Sequence, residues 1–226
     1  MSWLVDTLQL YARVFRRGAT LLLAHWWLGV VGAVYPLALL GVAMVVAPLG
    51  IMGGFLVTLV AAAFASSWLV LVAQIVRNGR ATFAEVPASF GTHLGDVVTF
   101  LFLLWALRFV VGVAVAQLEY LVIVFQLALL VFLSAVPEEI ALADESGAAV
   151  FVESYRFVAA HWIEWLPAAA VLLIVWAAAA SVPLQPAAVL AGGGAGAFMF
   201  IVRGLLFLEL TSSSRRAREF QRRAAP

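Results

Sequence analysis

The chain has 226 residues, of which 65% are hydrophobic and only 11% are charged, and its formal net charge is +1. A water-soluble domain of this length needs many more charged side chains on its surface, so the composition excludes an ordinary soluble globular protein. It predicts an all-α, polytopic membrane protein with membrane lipids rather than nucleic acid as its surroundings. The absence of cysteine excludes disulfides, thiolate chemistry and cysteine-based zinc sites.

The chain begins with a segment that predicts an amphipathic helix. Leu4, Leu8, Tyr11 and Phe15 recur at helical spacing on one face, and the nearby arginines lie largely elsewhere. A helix of this kind lies at the membrane surface with its apolar side toward the acyl chains.

Six apolar stretches follow, close to the length of about 20 residues that a transmembrane helix needs. They cover residues 19–46, 51–76, 97–116, 118–136, 164–181 and 188–210. Residues 1–211 are therefore predicted to form a single polytopic domain, and residues 212–226 a basic tail. Pro36 and Pro167 predict kinks in the first and fifth spans. Gly192 and Gly196, four residues apart, predict close helix packing within the sixth.

The segments between the second and third spans and between the fourth and fifth are also amphipathic. Thr82 and Glu85 form a capping-box pattern, and a further amphipathic helix is predicted from Ser146 to Trp162. Units of one amphipathic helix and two spans thus start near residues 2, 81 and 145. This order favours three helix-hairpin repeats, although any re-entering chain also needs an interfacial anchor.

Arginines outside the spans all fall on one side of the predicted membrane, and the opposite loops have none. The positive-inside rule places both termini in the cytoplasm, and a bacterial inner membrane is the expected location. Arginines of the first segment and of the tail are candidate contacts for lipid headgroups or a partner, or else only topology anchors. The contact candidates are Arg13, Arg16, Arg17, Arg215, Arg216, Arg218, Arg222 and Arg223.

Two arginines lie inside spans, where an ionised side chain normally faces the bundle and finds a partner. Arg203 has candidate partners in three carboxylates, and Arg108 has one in Glu119. The pairs are either a substrate or ion path or a structural device that fixes helix register. The candidate intramembrane polar site comprises Arg108, Glu119, Gln126, Glu138, Glu139, Arg203 and Glu209.

Catalytic and metal motifs are missing from the sequence. His25, His93 and His161 are dispersed, so no metal site is predicted. Serines occur near the acidic run that follows Pro137, but no motif sets a base beside them. We therefore expect no enzyme activity and no cofactor.

The stretch PEEIALADESGAAVFVESYRFVAAHW, together with DTLQLYARVFRRG near the start, carries a resemblance. It resembles a group of six-span bacterial membrane proteins similar to the membrane domain of some glycerophosphoryl diester phosphodiesterases. The features that carry it are Glu145, Ser154, Arg156, Phe157 and the pair His161-Trp162. The resemblance implies six helices with amphipathic segments on the inner face, and it brings no catalytic residues.

The expected function is a non-enzymatic accessory or scaffold role, in which the inner face binds lipid or a membrane protein partner. The alternative is a small transporter or permease subunit whose intramembrane charges line a path.

Overall fold

The computed structural model describes residues 2–114, 119–181 and 186–224, and within them it leaves out the side chains of 2–4, 6, 114, 119, 175, 176, 179–181, 186–188 and 213–224. Every regular element in this part of the chain is helical. The helices are α1 Ser2–Ala24, α2 Trp27–Val46, α3 Ile51–Asn78, α4 Val86–Ser89, α5 Leu94–Ala114, α6 Glu119–Phe132, α7 Val136–Leu142, α8 Ala149–Ser181 and α9 Pro186–Ala224, with short 3₁₀ helices at Ala47–Leu49 and Phe83–Glu85.

Six segments are long and apolar enough to cross a membrane, so the chain is a multi-pass membrane protein with the predicted all-α fold. They are Trp27–Leu49, Ile51–Asn78, Leu94–Val113, Tyr120–Leu142, Ala149–Ile174 and Val189–Ser212. The sixth helix continues past this segment, because α9 extends through residues 213–224 of the basic tail.

The first span begins later than the predicted residue 19, because a turn at His25 and Trp26 separates α1 from α2. The buried His25 ring stabilises this turn because each of its two nitrogens forms a hydrogen bond with a backbone group. Its Nε2 lies 3.3 Å from the Ala81 amide, which can only donate, so Nε2 is the acceptor. Nδ1 then carries the proton and donates to the Leu21 carbonyl at 2.9 Å. Residues 19–24 therefore belong to α1.

Helix α1 packs against the bundle through residues beside the predicted apolar face as well as through part of that face. Leu10 and Val14 are buried, and a side chain at Gly18 would meet Val202 of α9 at 2.9 Å. Leu8, predicted to face the acyl chains, is 65% exposed, as a membrane-facing side chain would be, whereas Tyr11 of the same predicted face contacts α8. The helix thus has two apolar stripes, one against the protein and one left open, and the sequence pattern alone did not separate them.

The predicted amphipathic helix from Ser146 to Trp162 and the predicted fifth span from 164 form one helix, α8. It is interrupted at His161, whose backbone is not helical (φ −127°, ψ 25°). Pro167 lies six residues further on within the same helix. The break marks the change from the amphipathic half to the apolar half. Helix α2, by contrast, continues through Pro36 from Trp27 to Val46.

Close packing joins α2 to α9 through glycine. A Cβ at Gly193 would meet the Gly29 carbonyl, and it would lie 2.6 Å from the Ala33 nitrogen. A Cβ at Gly196 would meet no atom within 4 Å. The predicted intramolecular glycine contact exists, but it uses Gly193 rather than Gly196, because the register between two helices is not encoded in one sequence motif.

The order of elements follows the three predicted units, with α1, the 82–89 segment and the first half of α8 each preceding two spans. The capping box at Thr82 and Glu85 is formed, and the Thr82 amide donates to Glu85 at 3.1 Å. Six spans bring both ends of the chain to one end of the bundle. We call this the basic end; there α3 finishes near Arg77 and Arg13 lies 3.6 Å from Glu209.

Candidate intramembrane site

The fourth span is a broken helix. Helix α6 ends at Phe132, three residues form a turn, and α7 begins at Val136 with Pro137 in its first turn. Proline has no N–H to donate, and its ring clashes with the carbonyl four residues earlier, so the α6 hydrogen-bond ladder stops before it. The break leaves backbone carbonyls without their usual helical partners, inside a segment that would cross a membrane.

Side chains from other helices satisfy two of these carbonyls. Ser154 of α8 is fully buried and donates from its hydroxyl to the Phe132 carbonyl at 2.8 Å. Arg203 of α9 donates to the Ser134 carbonyl. Broken helices are tolerated within membranes only where neighbouring groups take over the freed backbone bonds in this way.

Arg203 also forms a buried ion pair with Glu138 in the first turn of α7. Its Nε lies 2.9 Å from Oε1 and its Nη2 lies 2.8 Å from Oε2, which is a bidentate arrangement. Both side chains are 4% exposed. The guanidinium lies 4.8 Å from the ring centre of Trp165, and the Trp165 indole N–H donates to the Ser134 hydroxyl at 2.8 Å.

This arrangement compensates Arg203 fully within the protein. An arginine at the centre of a membrane helix costs at least about 2.5 kcal/mol on insertion scales, and a bidentate carboxylate with an aromatic face offsets that cost. Such a pair fixes the position of α9 against α7 and α8. Of the two interpretations offered by the sequence for Arg203, the geometry favours the structural one.

The other predicted site residues do not join this pair. Glu209 lies beside Arg13 instead, and Glu139 is buried on α7 while Arg203 pairs with its neighbour Glu138. Gln126 is exposed on α6. The side chain of Glu119, the residue Gln117, and the side chains of the tail arginines at 215, 216, 218, 222 and 223 lie outside the described part of the chain.

Arg108 and Arg203 line one crevice of about 260 Å³ between α5, α6, α8 and α9. The rest of its wall is almost entirely apolar, with leucines from three helices and the hydroxyl of Ser134 as an additional polar group. Glu138 is not part of this wall. Both predicted arginines therefore line this crevice, but the crevice does not form a continuous polar path.

The histidines make separate local contacts. His93 lies 3.7 Å from Asp96, and His161 lies 3.1 Å from the Phe157 carbonyl, while His25 contacts Ala81. Among the described residues no three side chains of metal-ligating type converge.

Comparison of the chain with protein-family models, with curated proteins and with solved structures finds no match. The resemblance to the phosphodiesterase membrane domains therefore stays a prediction, and the function must be argued from the geometry of the chain itself.

The roles of Ser134 and Trp165 beside Arg203, and of Ser154 at the Phe132 carbonyl, were not predicted from the sequence. The sequence did contain one signal of the break, which is Pro137. If the fourth span continues to Ala141, this proline lies inside it and interrupts its backbone hydrogen bonds. Ending the fourth span at residue 136 placed this proline in a loop and concealed the break.

Proposed function

We propose that this integral membrane protein has a non-enzymatic accessory or scaffold role in a bacterial inner membrane, and that its basic end binds anionic lipid headgroups. The proposal rests on the way α1 packs against the bundle. Arg16 and Arg17 are exposed on a helix whose other side is fixed to the bundle by Leu10 and Val14.

Some arginines of the basic end already have a hydrogen-bond or ion-pair partner within the protein, and others do not. Arg77 donates to the Leu142 carbonyl at 2.7 Å and to Asp144 at 3.1 Å, and Arg156 lies 2.6 Å from Glu153. Arg16 and Arg17 have no such partner among the described side chains. Each uncompensated arginine near an anionic surface contributes about 1 kcal/mol of attraction.

Open apolar side chains on α1 support the same role. Val5 is 51% exposed and Leu8 is 65% exposed, so the helix presents apolar groups as well as free guanidinium groups. A helix with both is suited to the boundary between headgroups and acyl chains. With both termini in the cytoplasm, that boundary belongs to the cytoplasmic leaflet.

The test is extraction of the full chain from native membranes in a lipid-preserving polymer, followed by mass spectrometry of the retained lipids and proteins. We expect anionic lipid to be enriched over the bulk membrane, and the enrichment to fall in the double variant R16Q/R17Q. The matched control is R156Q, since Glu153 already neutralises that arginine. Retained lipid of bulk composition in all three proteins would contradict lipid binding, whereas a stoichiometric protein partner would support the accessory role.

Transport is the second candidate, and the observation that favours it is the presence of Arg108 and Arg203 on one crevice. The cysteine-free chain allows a direct test with single-cysteine variants. A water-filled path would let a charged, membrane-impermeant thiol reagent modify L104C and L133C as readily as L49C, whose position is 55% exposed at a turn. Modification of L49C alone would remove the basis for transport of a polar solute.

A further inference from the structure

Arg108 is an intramembrane charge for which the described part of the protein supplies no partner. It lies on the exposed side of α5, and no ion pair or hydrogen bond joins it to a described side chain. Arg203, at the other end of the same crevice, is neutralised by Glu138. An ionised guanidinium within a membrane-spanning helix is stabilised by a negative partner, and here the described side chains do not supply one.

The shape of the crevice indicates what kind of molecule could supply it. Arg108 lies five positions before Val113, the end of its span away from the basic end, and Arg203 lies 14 positions after Val189, the same end of its own span. Arg108 is therefore nearer than Arg203 to the membrane surface away from the basic end. The space between them is lined by Leu104, Leu130, Leu133 and Leu172. The wall is therefore mostly apolar, with Arg108 toward the end away from the basic end.

The volume also distinguishes the crevice from a packing defect. At about 260 Å³ it exceeds the engineered apolar cavities of about 150 Å³ that bind benzene, and it approaches the lower limit of ligand pockets at about 300 Å³. Helix α5 packs against α3, so its other side leaves the space facing α6 and α8. The leucine wall suits an acyl chain better than it suits a polar solute.

We propose that this crevice binds one anionic phospholipid from the leaflet opposite the basic end, with its phosphate on Arg108 and one acyl chain between α5 and the α6–α8 pair. Arginine side chains near helix ends extend toward the nearest interface, which brings the guanidinium within reach of a headgroup. The site is separate from α1 and the basic end, so neither proposal depends on the other.

The experiment is photolabelling of the full chain in phosphatidylcholine nanodiscs that contain a small fraction of phosphatidylglycerol with a diazirine on one acyl chain. We expect peptide mass spectrometry to find adducts on Leu104, Leu130, Leu133 or Leu172. In R108Q the yield should fall about ten-fold, as for the loss of a charge-assisted hydrogen bond. R108K should retain most of the labelling, and R156Q should match the original chain.

Three results would overturn the proposal. One is equal labelling by a diazirine phosphatidylcholine, which would show ordinary lipid contact without charge recognition. Another is undiminished labelling in R108Q. The third is increased labelling in E119Q, which would identify Glu119 as the native partner of Arg108. If R108Q does not give a monodisperse protein, L133W fills the crevice and keeps the arginine, and the same loss of adducts is expected from it.

Discussion

At the scale of single residues, the cost of burying a charge explains most of what happens around Arg203. The sequence predicted that this arginine must find a carboxylate, because an unpaired charge inside a span is unfavourable. It left three carboxylates open, and Glu138 is the partner. The choice depends on the break before Pro137, which turns the first residues of α7 toward α9, and no spacing rule contains that information.

Removing one partner of this pair should be far more damaging than replacing both. We expect R203A to lower the free energy of unfolding by about 3–5 kcal/mol, because Glu138 is left buried and uncompensated. The double variant R203M/E138L should recover much of that loss, since apolar groups of similar volume are tolerated at such sites. Thermal unfolding in detergent measures both. A double variant as unstable as R203A would show that the Ser134 and Trp165 contacts, rather than charge, hold the site together.

Tyr11 provides a pH-dependent attachment of α1. Burial raises the pKa of its hydroxyl by more than a backbone hydrogen bond with Ala168 lowers it, and the Glu164 charge adds to the rise. The neutral hydroxyl donates to the Glu164 carbonyl of α8. Because the folded pKa lies above the unfolded value of about 10, the stabilisation is complete below pH 10 and is lost as the pH rises above it.

We therefore expect proteolytic cleavage within α1 to accelerate as the pH rises above about 10, because the tyrosine of the opened helix then ionises. In Y11F the rate should be higher than in the original chain at pH 8, by the loss of about 0.5–1.5 kcal/mol from one hydrogen bond. It should also lack the additional rise above pH 10. An identical pH profile in Y11F would assign the effect to other tyrosines.

At the scale of elements, helix existence was predictable and helix register was not. Apolar length identified all six spans, and turn chemistry identified the 82–85 cap. The buried stripe of α1 and the glycine used by α9 depend on which helices become neighbours. That is decided by packing over many residues.

Gly193 and Gly196 test this packing directly. We expect G193A to be destabilising by about 1–3 kcal/mol, because the new methyl group would press on the backbone of α2, which cannot move aside. G196A should be neutral or slightly stabilising, since its methyl group meets open space and alanine favours helix. Unfolding curves of the two variants supply the comparison. Similar losses in both would mean that helix propensity and not contact with α2 governs α9.

At the scale of the whole molecule, the distribution of arginine is the strongest information in the sequence. The fold brings α3, α7 and α9 to finish at the basic end, where Arg77 bonds the last turn of α7 through Leu142. This agrees with the predicted alternation of spans. The bundle itself has no intrinsic inside or outside, so its orientation depends on the positive-inside rule alone.

Single cysteines determine that orientation, because the natural chain has none. In intact spheroplasts we expect a membrane-impermeant maleimide to modify L49C, at the turn after α2, and to leave N78C, at the end of α3, unmodified until the membrane is permeabilised. Both positions are exposed, so local burial does not decide the result. The physical reason is that arginines near the basic end resist transfer across the membrane during insertion. The opposite pattern would invert the topology, and it would then place Arg16 and Arg17 against the outer leaflet and Arg108 toward the inner one.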